Sequence, residues 1–272
     1  MRPTPTAARQ LARNFNQSVA TLDSRLEEFL ESGDSPTTAA FRRAAKRVRA
    51  SYSLLPKSVR REPRVKRYVS ASRKLSRAVG KVRDIDTIAA WTMQLPDGKD
   101  QRSFISDLER LRASHLRTAF LKAKKLRNAK TPSLDLRDLE DSDHGKRADK
   151  VRRRLERRVD KEFEEFLTTQ EVVVMHALRK DSKRLRHLLE LTQNGVAPPL
   201  TGRLRSIQDD LGAIRDHDLI TEYLRSRVKL TSTGALIREE IAKRHARLED
   251  FVTKNRGQGH LVPVAQNGRV GS

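Results

Sequence analysis

Apolar positions recur at three- and four-residue spacing along almost the whole chain, and no stretch shows the strict alternation of a half-buried strand or the turn of a β-hairpin. The pattern predicts eight helices and an all-α fold. The first opens at Thr4-Pro5 and runs to Glu31, where Ser32-Gly33 stops it. Asp34-Ser35-Pro36 offers a cap and an opening proline for the second, which carries FRRAAKRVRASYSLL and ends at Pro56. A third spans Pro63 to Gln94, closed by Leu95-Pro96-Asp97-Gly98, and a fourth runs from Lys99 to Lys130. The fifth covers Lys146 to Thr168 and the sixth Gln170 to Gln193, before Asn194-Gly195 and VAPPL. The seventh and eighth extend from Thr201 to Leu230 and from Thr233 to Lys254.

Between the fourth and fifth helices lies TPSLDLRDLEDSDHG, acidic and rich in turn formers, which reads as a linker over 131–145. It divides the chain into a first four-helix half (1–130) and a second (146–256), leaving 257–272 as a disordered tail. The halves repeat each other. Phe41 to Arg49 aligns with Leu178 to Arg186, so that Arg42 matches Arg179. Further on, KLSRAVGKVRDID (Lys74 to Asp86) aligns with SIQDDLGAIRDHD (Ser206 to Asp218), bringing Gly80 onto Gly212 and Asp84 onto Asp216. In each half a basic helix precedes one bearing Gly-x-x-Arg-Asp-x-Asp.

On a wheel of about 100° per residue, His176, Arg179, Lys183 and Arg186 occupy one sector of about 80°, widened by Lys180 and Arg184. Leu178, Leu185, Leu188 and Leu189 lie opposite. The second helix repeats the sector with Arg42, Lys46 and Arg49, widened by Arg43 and Arg47, while Phe41 and Val48 take the apolar side. Each helix thus buries one face and offers cations a turn apart, roughly 5–6 Å between neighbours. A linear phosphate polymer needs donors at such intervals, and Arg and Lys supply them as planar forks and compact charges. Arg73 and Arg205, equivalent by repeat and about two turns before their glycines, extend the basic lining.

Charge turns this local pattern into a property of the molecule. Lys and Arg number 58 against 35 Asp and Glu, a formal net charge of +23 and a pI near 10.9. Self-repulsion on this scale calls for an anionic partner. Nucleic acid, an anionic membrane and a phosphate polymer all qualify. Aromatic residues make up only 4% of the chain, which disfavours a single-strand reader that stacks bases on exposed rings. There is no cysteine, which excludes disulfides, zinc–thiolate centres and thiol catalysis, and fits a reducing compartment. Neither a signal-like opening nor an apolar run of membrane-spanning length is present, so a soluble, cytoplasmic protein is expected.

HALRKDSKRLRHLLEL (His176 to Leu191), AFRRAAKRVRASYSLL and the two Arg-Asp-x-Asp helices together resemble the CHAD family, the conserved-histidine α-helical domains, over about Ala7 to Arg256. The resemblance implies two pseudo-symmetric four-helix bundles packed around a basic central groove or pore that binds inorganic polyphosphate. It implies contacts from Arg42, Lys46 and Arg49 in the first half and from His176, Arg179, Lys183 and Arg186 in the second. It also implies association with polyphosphate granules. The first-half histidine is absent, its place taken by Ala39.

Other chemistry fits less well. A phosphoryl-transfer enzyme needs a metal, a positioned base or a phosphate-cradling loop, and neither Gly-x-x-x-x-Gly-Lys nor His-Glu-x-x-His occurs. A non-catalytic protein without cofactor or metal is therefore expected. The carboxylates beside Arg83 and Arg215 read as ion pairs that orient the basic helices, since an adjacent guanidinium competes with a cation. His187, next to Arg186, reads as a helix-surface residue, and His115 and His245, single on their helices, as structural. Nucleic acid remains the rival partner through counterion release, with weak nonspecific binding expected at low salt.

Overall fold

The computed structural model describes residues 5–135, 139, 144–192, 199–227, 233–257 and 259–262, and in 5–8 and 144–146 the backbone only. Every regular helix or strand among them is helical. The helices are α1 (Pro5–Ser32), α2 (Ser35–Leu54), α3 (Lys57–Arg61), α4 (Pro63–Thr92), α5 (Lys99–Arg127), α6 (His144–Thr169), α7 (Val172–Thr192), α8 (Pro199–Arg225) and α9 (Thr233–Asn255).

Local chemistry sets the breaks. Gly33 ends α1 at φ +59°, a left-handed conformation that costs a side-chain-bearing residue about 1–2 kcal/mol. A Cβ there would also come within 2.8 Å of the Phe120 ring. Asp34 caps α2, its carboxylate accepting the Thr37 N–H at 2.8 Å and the Thr37 hydroxyl at 2.7 Å. Those bonds, the backbone one foremost, hold its carboxyl below the usual range. Gln170, at φ 52°, separates α6 from α7. The one-turn α3 between Pro56 and Pro63 was not anticipated from the pattern, because five residues are too few to show a helical period.

The chain forms two compact units. One comprises Met1–Asp149 with Asp216–Ala242, and the other Lys150–Arg215 with Lys243–Ser272. In the first, α1 packs on α2, α2 on α4, α4 on α5 and α5 back on α1, closing a ring of four helices. Phe15, Leu22, Leu26 and Phe29 of α1 are fully buried, and Phe29 meets the rings of Phe41 (5.9 Å) and Phe120 (5.2 Å). A second cluster in this unit joins Ile85 and Ile88 of α4, Phe104 and Leu108 of α5, and Ile220, Tyr223 and Leu224 of α8. Glu240 of α9, almost wholly buried, accepts the Trp91 indole N–H at 3.1 Å and lies 2.7 Å from Nδ1 of His217. Asp216–Ala242, from α8 and α9, group with this first unit. α8 and α9 each contribute to both units.

The linker itself docks on the first unit where it is described. Leu134 exchanges hydrogen bonds with the Asn16 amide, both at 2.9 Å, and Leu134 and Leu139 are buried. Thr131 donates to Asp23 at 2.9 Å, the same carboxylate that receives the Tyr68 hydroxyl. Burial and that hydrogen bond push the Tyr68 phenol far upward. Residues 136–138 and 140–143 lie outside the described residues, as do the proposed Thr4 cap, the 193–198 turn and residues 228–232.

In the second unit the core draws Phe163 and Phe166 from α6, Leu178 and Leu185 from α7, Ile207 and Ile214 from α8, and Phe251 from α9. Leu261 joins it, fully buried. Arg203 donates to the carbonyls of His260 and Leu261, both at 3.0 Å. His260 Nδ1 stands 2.7 Å from Asp160 and from Glu164. The opening of the expected tail is therefore pinned, whereas 263–272 lies outside the described residues.

Candidate functional site

α2 meets its neighbours through Phe41, Ala44, Ala45 and Val48, all buried, and this fixes the orientation of its cations. Arg42, Lys46 and Arg49 flank the buried stripe and are half-buried, while Arg43 and Arg47 stand exposed beyond them. α7 repeats this position by position. Leu178, Leu185 and Leu188 are buried, Arg179, Lys183 and Arg186 are half-buried, and Lys180 and Arg184 are exposed. Each helix thus carries an inner row of three cations held partly by the fold and an outer pair in water. His176 is exposed one turn before Arg179, where α2 has the half-buried Ala39.

The cations differ in how firmly they are held. Burial pulls the Arg42 guanidinium below its ordinary pKa, Asp84 of α4 pulls it back up, and Arg83 adds to the lowering. Arg186 donates to Gln208 of α8 at 3.0 Å and to Glu190 at 2.6 Å, so it is fixed on both sides. Arg184 donates to Asp181 at 2.9 Å, and Arg158 of α6 grips the same carboxylate. Asp181 is buried and occupies the place that Ala44 holds in α2. The second row therefore contains an internal counter-charge that the first lacks. Nearby, burial pushes the Glu162 carboxyl up, Asp181 adds to the rise, and Arg158 and Lys180 oppose it.

Arg73 is exposed on α4, and its guanidinium lies 5.6 Å from the centre of the Tyr52 ring of α2. Arg205 is exposed on α8. Asp86 accepts from Arg112 of α5 at 2.8 Å, and Arg112 also donates to the Gly33 carbonyl at 2.9 Å. This carboxylate thus ties α4 to α5 and to the α1–α2 turn, a structural use of an Arg-Asp-x-Asp acid. A Cβ built at Gly80 or Gly212 meets nothing within 4 Å, so close packing does not explain the repeated glycine. His187, expected among surface or structural residues, is buried and lies 3.2 Å through Nδ1 from Glu190. That hydrogen bond is the main reason the Glu190 carboxyl sits below the usual range. Sequence reasoning missed a set of cations between α4 and α5, including His115, because their common feature is a groove between helices rather than a motif on one.

The CHAD domain family matches over residues 9–225, and the chain belongs to that family. Its fold is similar to the crystal structure of the CHAD domain from the plant Ricinus communis. The TM-score is 0.70, with 14% identity and 90% of each chain covered. No curated protein matches. Among the described residues, no helix is long and apolar enough to cross a membrane.

Proposed function

We propose that the chain is a non-catalytic binder of inorganic polyphosphate, acting in the cytoplasm and at polyphosphate granules. The observation that carries this reading is the matched register on α2 and α7. Five cations on each helix repeat the same alternation of half-buried and exposed positions. The half-buried residues are partly ordered before any ligand arrives, which lowers the entropy cost of gripping a phosphate. The exposed pair adds charge that a flexible polymer reaches without displacing packed groups. His176 adds a donor next to Arg179. Arg73 and Arg205 extend the basic surface of their own units.

The test is retention of long-chain polyphosphate at physiological salt by the wild type and by a variant carrying Arg42→Glu, Lys46→Glu, Arg179→Glu and Lys183→Glu. The wild type is expected to retain the polymer, with affinity falling steeply as salt rises, each phosphate contact adding about 0.7–0.9 to the logarithmic slope. The variant, with unchanged helical content by circular dichroism, is expected to lose retention. Retention by the folded variant would assign binding to overall charge instead.

A further inference from the structure

α4 and α5 pack along each other and leave a groove of about 480 Å³ on the first unit. Lys74, Arg77 and Lys81 line it from α4, and His115 and Lys122 from α5. The Ser114 and Thr118 side chains lie among them, and no acid lines the groove. Lys74, Arg77 and Lys81 are exposed, whereas His115 and Lys122 are half-buried. None of these five basic groups forms an ion pair with an acid among the described residues.

A solvated basic face is the ordinary fate of Lys and Arg, and along α6, α8 and α9 such faces are interleaved with acids. Here they are not. No acid occurs from Pro63 to Arg83 or from Arg110 to Leu134. The nearest acid along α4, Asp84, acts on Arg42 of α2. The repeat sharpens the contrast, because α8 places Ser206, Asp209 and Ala213 where α4 has Lys74, Arg77 and Lys81. There Ser206 and Asp210 accept from Lys254 of α9, at 3.0 and 2.7 Å. The α4–α5 groove is therefore not a copy of the duplicated basic helices, and its α4 cations have no counterparts at the aligned positions of α8.

We infer that the α4–α5 groove is a separate anion site that takes a compact ligand carrying two or three contiguous phosphoryl groups. Lys74 and Lys81 stand about 10 Å apart along α4, a reach that suits a short phosphoryl chain better than one tetrahedral anion. Lys122 faces that line from α5, and the two hydroxyls supply neutral donors for the remaining oxygens. The inference does not rest on the reading of α2 and α7. The same chemistry is offered by free inorganic oligophosphate and by the tail of a nucleoside triphosphate.

Calorimetric titration of the full chain with tripolyphosphate, ATP and sulfate at physiological salt tests this. A first variant combines Lys74→Ser, Arg77→Ser and Lys122→Ser, and a second combines Arg42→Glu and Lys46→Glu. Tripolyphosphate is expected to keep a binding site in the second variant, where the α2 cations are reversed, and that site is at least tenfold weaker when the first variant's three substitutions are added to it. ATP binding equal to tripolyphosphate identifies the phosphoryl run as the recognised group, whereas much weaker ATP binding identifies a free inorganic ligand. Both outcomes support the site. Amide shifts in wild-type NMR spectra, concentrated at Ser114 and Thr118, check the location without any substitution. Equal affinity for sulfate and tripolyphosphate, or no further loss of tripolyphosphate affinity when the first variant's substitutions are added to the second, overturns the inference. Loss of long-chain polyphosphate retention by the second variant alone leaves it standing.

Discussion

Replacing Asp181 by alanine removes the buried acid that pairs with Arg184 and Arg158, and gives that position the residue already present in α2, Ala44. The Asp181 side chain is 1% exposed and sits between Arg158 and Arg184, which are 45% and 44% exposed. One charge-assisted hydrogen bond, from Arg184, is lost, worth about 1.5–3 kcal/mol when well formed, together with the ion pair to Arg158. Water compensates much of this loss at the two half-exposed guanidinium groups, and the cost of holding a carboxylate out of water disappears. The expected net loss is about 2 kcal/mol, which lowers the melting temperature by roughly 4–8 °C in a protein of this size. Burial of a methyl group in its place adds no strain, because the aligned helix accepts alanine. At the same time the row gains one net positive charge, so polyphosphate should bind more tightly and with a steeper salt dependence. Thermal unfolding followed at 222 nm and a salt series of polyphosphate binding measure the two effects on one sample. A variant as stable as the wild type would show that Asp181 does not organise the row. A folded, destabilised variant with weaker polyphosphate binding would show that the row needs its internal acid, contrary to the account.

Three further expectations concern the scaffold. Gly33→Ala combines a left-handed backbone with a Cβ 2.8 Å from Phe120, and should cost about 2–4 kcal/mol in chemical denaturation. Gly80→Ala and Gly212→Ala place a methyl group in open space within a helix, and each should raise stability by about 0.5–1 kcal/mol without ligand. Glu162 is held protonated to a higher pH when folded, first by burial and then by Asp181, so the folded state binds its proton more tightly than the unfolded chain. Stability contributed by that proton is lost as pH rises through the folded value, and Glu162→Gln should be neutral near pH 3.5 and stabilising near pH 7. Its Oε2, buried without a hydrogen bond among the described residues, points the same way. Urea midpoints at the two pH values decide it.

The helices were legible in the sequence because their boundaries rest on local chemistry: the Asp34 cap, the prolines opening α2 and α4, and the left-handed Gly33. The inner and outer cations of α2 and α7 were legible as well, since one turn of helix converts spacing into a face. What escaped the reading depends on contacts between distant segments. Nothing in the spacing of Ile220, Tyr223 and Leu224 says that they join Ile85 and Phe104, while Arg203 and Leu204 of the same helix serve the other unit. Leu261 lies beyond any periodic run, and only the Arg203 bonds and the core cavity it fills reveal its place. His187 looked like a surface residue because its neighbours are basic, yet the helix turns it inward beside Glu190. The α4–α5 groove needed two helices side by side before five scattered cations became one feature.

Competition for long-chain polyphosphate at physiological salt tests the central claim most directly, with duplex and single-stranded nucleic acid offered at equal phosphate concentration. The account predicts that neither displaces the polymer from the wild-type chain, and that Glu at 42, 46, 179 and 183 abolishes retention while the helices persist. Displacement by nucleic acid at comparable concentration, or retention by the folded variant, contradicts it.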